Sequence, residues 1–293
     1  MKMLKKLVKN PISLAGLVIV LFFVFVGISA PWLAPPKPGY GSYEIPRDGF
    51  SMTPRSPSGE HPFGTTEGQY DIYYGVIWGT RTAFRIGLII TVSIATIGVI
   101  VGALAGYYGG MVDEFVMRIV DIFLAFPRLV AAMTLTAILG KGLNNVIIAL
   151  IVFGWMGYAR LIRSEILSLR EQSFIEASKA IGAGDLRIIC RHLLPNSMYP
   201  VFVMASLDIG SMVLWAATLS FLGLGAELGY ADWGQLVSFT RNWIIGPPGN
   251  PLKYWYTVFY PGAAILLFVL AWNLIGDAFR DILDPKMQGQ GMA

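Results

Sequence analysis

Runs of about twenty apolar residues, separated by short charged stretches, govern what this 293-residue chain can fold into. The first is ISLAGLVIVLFFVFVGISA at 12–30. A bilayer's hydrocarbon core, about 30 Å thick, is crossed by roughly 20 helical residues, and it holds no water to satisfy an open backbone. A chain of such runs therefore crosses as helices. Composition agrees: 55% of the residues are hydrophobic and 14% charged, where a soluble domain carries about 25% charge, and the mean hydropathy is +0.61. The expected fold is an all-α integral membrane protein.

Six transmembrane helices are expected, at about 12–30, 83–107, 118–140, 145–161, 199–224 and 257–277. Lys2, Lys5, Lys6 and Lys9 precede the first, and basic residues gather at the cytoplasmic ends of membrane helices, so the N-terminus is expected inside. Arg160, Arg163, Arg170, Lys179, Arg187, Arg191, Arg280 and Lys286 then fall on the same side, which places both termini of a multi-pass protein in the cytoplasm. A basic head before an apolar run also describes a secretory leader, but such runs measure about 7–15 residues and end at a small-residue cleavage site. This run is longer and has no A-x-A after it, so it reads as a retained anchor. The chain divides into 1–30, N-terminus and anchor; 31–80, an extracytoplasmic loop rich in Pro, Gly and Ser; 81–280, a helical core; and 281–293, a cytoplasmic tail.

Gly98, Gly102 and Gly106 recur every fourth residue of the second span, a spacing that places them on one helix face where another backbone can approach; glycine is also simply common in membrane helices. In DEFVMRIVD, Glu114, Arg118 and Asp121 have the three- and four-residue spacings of a self-paired interfacial helix. Arg128 and Asp208 fall inside expected spans, where a charge at the helix centre costs about 2.5–3.5 kcal/mol. They are candidates for the translocation path or a partner contact, the alternative being a buried structural pair or a position nearer the surface.

Between the fourth and fifth spans the chain reads EASKAIGAGDLRIICRHLLPN at 176–196. Ser173 and Glu176 have capping-box spacing, so a helix should start near Phe174 with Phe174, Ala177 and Ile181 on one face. Gly182 stands where a left-handed residue would end it. Asp185 should cap a second helix, which Pro195 should terminate. A docking element and a lipid-bound amphipathic segment both fit such an elbow.

This segment resembles the EAA loop of ABC-importer permeases: Glu176, Ala177, Gly182, His192, Leu194, Pro195 and Asn196 match its pattern, and Ser178 replaces the second alanine. HPFGT at 61–65, LSFLGLG at 219–225, WGQLV at 233–237 and NLIGDAFRDILDP at 273–285 resemble the C-type permease of dipeptide and oligopeptide importers. Two departures stand out. GTTEGQYD keeps Gly64, Thr65, Gly68 and Asp71 but lacks the family's arginine, and WAAT occupies the stretch where a glutamate is common before LSFLGLG. The resemblance implies a type I ABC importer permease fold and a binding-protein-dependent function in the inner membrane, with peptide as the expected cargo and oligosaccharide or a nickel chelate as related ones. It implies a second permease as a heterodimeric partner, two ATP-binding subunits and an extracytoplasmic substrate-binding protein. It also makes residues 171–196 the ATPase-coupling loop, carried by Glu176, Ala177, Gly182, Asp185, His192, Pro195 and Asn196.

No ATP site is expected on the chain itself, so cofactors are none and ATP belongs to partner subunits. A P-loop needs G-x-x-x-x-G-K-[ST], and the only Gly-Lys pair, Gly140 with Lys141, is followed by Gly142 and reads as a short outer turn. Cys190 is the single cysteine, and His61 and His192 fall on opposite sides, so no metal site is expected. The net charge of +4 lies between apolar runs and not on a basic face, which argues against nucleic acid. An ion-coupled secondary transporter would show inverted repeats or intramembrane coupling residues, and a membrane enzyme would show convergent catalytic groups; neither pattern is evident.

Overall fold

The computed structural model describes residues 10–283. Lys2, Lys5, Lys6, Lys9 and Lys286, used above to orient the chain, lie outside the described residues. The elements are α1 Pro11–Leu33, a 3₁₀ turn Glu67–Gln69, α2 Ile72–Tyr108, α3 Gly110–Leu124, α4 Arg128–Leu139, α5 Leu143–Val152, α6 Met156–Arg170, α7 Ser173–Ala180, α8 Asp185–Ile188, a π turn Ile189–Leu193, α9 Leu194–Phe221, α10 Trp233–Ser238 and α11 Trp255–Leu283. The described residues form no strand, only isolated bridges such as Glu44 with Tyr230.

Five stretches are long and apolar enough to cross a membrane, namely Pro11–Leu33, Ile72–Tyr108, Leu143–Arg170, Asp185–Phe221 and Trp255–Asp281. The expected third span is a bent one: α3 and α4 are apolar enough together to make a sixth, and they meet at an angle of 85°. Pro127, which cannot continue a helical ladder, stands at this break, and Arg128 opens α4 beyond it. The second span also begins earlier than expected. Asp71 accepts from the Tyr74 backbone N–H at 3.0 Å and starts a 37-residue helix some 55 Å long, so residues 72–80 of the expected outer loop are helical.

This long α2 lies at the centre, packed on α6 and α9, with α9 on α11 and α11 on α1. Its contact with α6 runs through the glycine face. A Cβ at Gly98 would collide with that of Tyr158, one at Gly102 with the Ala159 carbonyl, and one at Gly106 would sit 3.1 Å from the Ile166 Cβ. Backbone thus meets backbone, with dispersion taking the part that water exclusion plays in soluble cores. Large apolar side chains remain on the outer surface, including Phe22, Phe25, Val92, Ile100, Phe202 and Leu266, as a lipid-facing wall requires.

At one end of the bundle the connections form a fixed cap. Trp78 donates from Nε1 to the Ala34 carbonyl at 2.8 Å, and Ile45 N–H and Ala231 N–H complete a short pairing of the segments around 43–45 and 229–231, each at 2.7 Å. Gln235 holds the following loop through both ends of its amide: Nε2 donates to the Ala226 and Glu227 carbonyls at 2.9 and 2.8 Å, and Oε1 accepts from Gly229 N–H at 2.8 Å. Asp232 caps α10 by accepting from Gly234 N–H at 3.2 Å. His61 is buried between two carboxylates, Nδ1 facing Asp71 at 2.8 Å and Nε2 facing Asp48 at 2.9 Å. Together with exposed Glu60, His61 and Asp48 bring their ligand atoms within 4.8 Å of one another, a cluster that spacing along the chain does not reveal because Asp48 comes from a separate part of the polar loop.

Two outcomes test this architecture. Gly102→Leu should lower thermal stability in detergent by the ~1–3 kcal/mol that overpacking costs, whereas Gly262→Ala, whose added Cβ meets nothing within 4 Å, should leave the melting temperature unchanged. Burial raises the carboxyl of Asp232 above its ordinary 3.8. A raised native value means that its stabilising contribution is complete below the ordinary pKa and is lost as pH rises through the raised one. Asp232→Asn keeps a capping oxygen, so its melting temperature should match wild type in acid and exceed it at neutral pH.

Candidate functional site

The end of the bundle opposite the cap carries the charged elbow. α7 ends in a Schellman arrangement, with Ala183 N–H on the Ser178 carbonyl at 3.0 Å and Gly182 N–H on the Lys179 carbonyl at 2.9 Å, and Gly182 takes the left-handed φ of +82° this closure demands. The capping box does not form: Ser173 is inside the helix, Gln172 occupies the cap position without a side-chain bond, and Glu176 lies in the first turn, where a negative charge suits the helix dipole. Ser178, the departure from the EAA pattern, folds its hydroxyl onto the Phe174 carbonyl at 2.8 Å.

Asp185 does not cap the second helix either. Gly184 is the cap residue, and Asp185 accepts a 2.7 Å hydrogen bond from the Tyr107 hydroxyl at the end of α2. A tyrosine at the end of an apolar span needs a polar partner, and that is the signal by which Tyr107 could have been singled out. Pro195 does not terminate the elbow. It lies in the first turn of α9, where a missing N–H is tolerated, and the chain runs into it through the π turn. His192 is half-buried in that turn, and Asn196 donates from Nδ2 to its carbonyl at 2.6 Å.

The elbow therefore has two sides. Ile175, Ile188, Ile189 and Leu193 are buried, Arg170 donates to the Gly106 and Tyr107 carbonyls at 3.3 and 3.2 Å, and Lys179 approaches the Tyr107 ring at 5.8 Å. The expected apolar face points away: Phe174, Ala177 and Ile181 are exposed, Ile181 by 86%. Glu176 and Gly182 share that free side.

Arginines brace the elbow's approach. Arg163 grips Asp113 of α3 with two nitrogens and Arg160 pairs with Asp121. Only Glu114 and Arg118 make the expected pair within α3, at 3.9 Å; Asp121 turns to α6 instead. Deeper in the bundle, Asp208 of α9 accepts from the buried Tyr158 hydroxyl of α6 at 2.7 Å. Among the described residues no carboxylate lies within 4.0 Å of Arg128, so Arg128 and Asp208 do not form an ion pair.

LSFLGLG and WGQLV, quoted above as motifs, are the parts from which the cap is made. Leu224 N–H returns to the Leu219 carbonyl at 3.0 Å, its own carbonyl accepts Gly142 N–H at 3.3 Å, and a side chain at Gly225 would collide with Ser220. In HPFGT, Gly64 has a φ of +77° and is closed in by the Arg55 carbonyl and the Tyr256 ring, each 2.6 Å from an added Cβ.

Comparison with known proteins agrees with this geometry. Residues 98–289 match the family model described as binding-protein-dependent transport system inner membrane component, and residues 2–48 match the N-terminal TM domain of oligopeptide transport permease C. The chain is 40% identical to the dipeptide transport system permease protein DppC of Alkalihalophilus pseudofirmus over 97% of this chain and 89% of that one. It is 38% identical to the probable D,D-dipeptide transport system permease protein DdpC of Escherichia coli, over 96% and 90%, and 34% identical to the glutathione transport system permease protein GsiD of Pectobacterium atrosepticum, over 97% and 90%. The chain belongs to the family of inner-membrane components of binding-protein-dependent transport systems.

Proposed function

We propose that the chain is the permease subunit of an ATP-driven peptide importer, forming half of a translocation pathway with a second, related permease and taking its power from separate ATP-binding subunits. The observation that carries this reading is the two-sided elbow. One side is fixed to the long α2 by apolar burial, the Tyr107–Asp185 bond and Arg170. The other presents Phe174, Ala177 and Ile181 with no covering element among the described residues, beside a rigid helix terminus. A segment that merely lay on lipid would not need a capped, glycine-closed helix tied to a membrane span. A segment that receives a push does, because a stiff lever loses less displacement than a loop.

The elbow end is assigned to the cytoplasm, which gathers Arg160, Arg163, Arg170, Arg187 and Arg191 inside; the cap end then faces outward, where a substrate-binding protein docks. Residues 171–196 are the coupling loop. Of the two intramembrane charges, Arg128 is the one assigned to the path, since Asp208 is engaged by Tyr158. Peptide is the proposed cargo because the names of the similar proteins include dipeptide and glutathione permeases.

In proteoliposomes holding the full complex, dipeptide uptake should follow internal ATP and persist when ion gradients are collapsed; uptake that follows the gradients would make the chain a secondary transporter. The elbow's role has its own test. Gly182 and Gly184 are equally uncrowded, but only Gly182 has a left-handed φ. Gly182→Val should strain the terminus by about 1–2 kcal/mol and reduce uptake about tenfold while ATP hydrolysis continues and the protein still inserts. Gly184→Ala should transport normally.

A further inference from the structure

A cavity of about 410 Å³ opens at the cap end between α2, the turn before α5 and the loop after α9, with Arg85, Lys141, Asn144, Asn145, Glu227 and Tyr230 in its wall. Pockets of about 300–1,000 Å³ hold small ligands, and a short peptide is of that scale. Its charges are unusual. Arg85 donates to the Asn144 side-chain oxygen at 3.1 Å, yet among the described residues no carboxylate lies within 4.0 Å of Arg85 or Lys141, and no cation lies that close to Glu227. Two like charges and one opposite charge thus share a small space without neutralising one another. Among the described residues none of the three charges is in an ion pair, and Arg85 is engaged only by neutral Asn144 and Tyr230.

All three side chains are exposed, and they stand on backbone that is held in place. Lys141 sits between Gly140 and Gly142, both in left-handed backbone with φ of +92° and +149°, and Asn145 Nδ2 fixes this turn by donating to the Leu139 and Gly140 carbonyls at 3.1 and 3.0 Å. Gly142 N–H ties it to Leu224, and Gln235 fixes the Glu227 backbone. Charges of both signs carried on a fixed backbone around one cavity suit a ligand that carries both, because each end of the ligand then meets an opposite charge. We propose that this cavity is a receiving subsite for zwitterionic short peptides, in which Arg85 and Lys141 bind the terminal carboxylate and Glu227 the terminal ammonium. The assignment rests on the peptide-import reading and adds to it a selecting site within the permease.

The test uses the complete complex with its binding protein, in proteoliposomes, and compares uptake of a dipeptide, its C-terminal amide and its N-acetyl form. The same binding protein feeds every variant, so its own preference cancels in each variant-to-wild-type ratio. Arg85→Gln with Lys141→Gln should lower uptake of the free dipeptide about tenfold and narrow its advantage over the amide; Glu227→Gln should narrow its advantage over the N-acetyl form. Arg85→Lys should retain most of the wild-type rate, and ATP hydrolysis stimulated by the binding protein should be unchanged in all variants. Wild-type selectivity in the charge-neutral variants overturns the subsite. An equal fall for all three peptides together with lost stimulation also overturns it and makes the cavity a binding-protein contact. A wild-type complex that imports no peptide overturns the import reading, and the subsite with it.

Discussion

The close approach of α2 and α6 is the contact on which the remainder depends. In lipid, two helices gain little by hiding apolar surface from their surroundings, so what holds them is the density of atoms that bare backbone can bring together. Gly98, Gly102 and Gly106 supply that density over successive turns, and its consequences extend past the pair. With Gly98 absent a side chain, Tyr158 lies flush on α2 and reaches Asp208 of α9, so one small-residue site fixes the mutual setting of α2, α6 and α9. At Gly106 the same approach brings Arg170 of α6 onto the last carbonyls of α2, and that terminus is where the elbow is attached.

The elbow uses local rules differently from the way its sequence suggests. Cap residues ordinarily spend their side chains on their own helix. Here Asp185 is spent on Tyr107, and the four α-helical residues it opens run on through the π turn into α9 as one span. Long-range attachment replaces a local cap. The same substitution explains Pro195: a proline that would end an isolated helix begins this one, because the π turn before it lets the chain enter α9 without a kinked rung. What results is a short arm continuous with a membrane helix and pinned to another.

The sequence made the membrane class, five of the spans and the left-handed glycine legible, because each rests on a signal confined to a few neighbouring residues: apolar length for α1 or α11, a glycine after a charged turn for Gly182. It hid whatever depends on two distant segments. Tyr107 and Asp185 stand far apart in the chain, and the partners of Asp121 and Asp208 come from α6, so spacing within one helix pointed Asp121 to Arg118 and left Asp208 without a partner. The bend in the third span was hidden for a related reason. Its composition is apolar throughout, and composition cannot report that a proline near the middle turns the chain by 85°. The early start of α2 was obscured because IYYGVIWG, rich in aromatics and glycine, has the character of an interfacial segment, while Asp71 acts as its cap.

A single stiff element links the two ends. α2 is long enough to pass beyond the hydrocarbon on the cap side, where it carries Trp78 and Arg85, and it finishes at Tyr107 against the elbow. Packed cores move as bodies between discrete arrangements and deform little. Under the proposed coupling role, a displacement applied at Asp185 through its bond to Tyr107 would be delivered along α2 to the wall that holds Arg85, with α6 carried by the glycine contact. Flexibility placed in α2 would absorb any such displacement. The helix accordingly contains no proline, and the glycines along its face are packed against a neighbour, so they lend the bundle closeness without lending it a hinge.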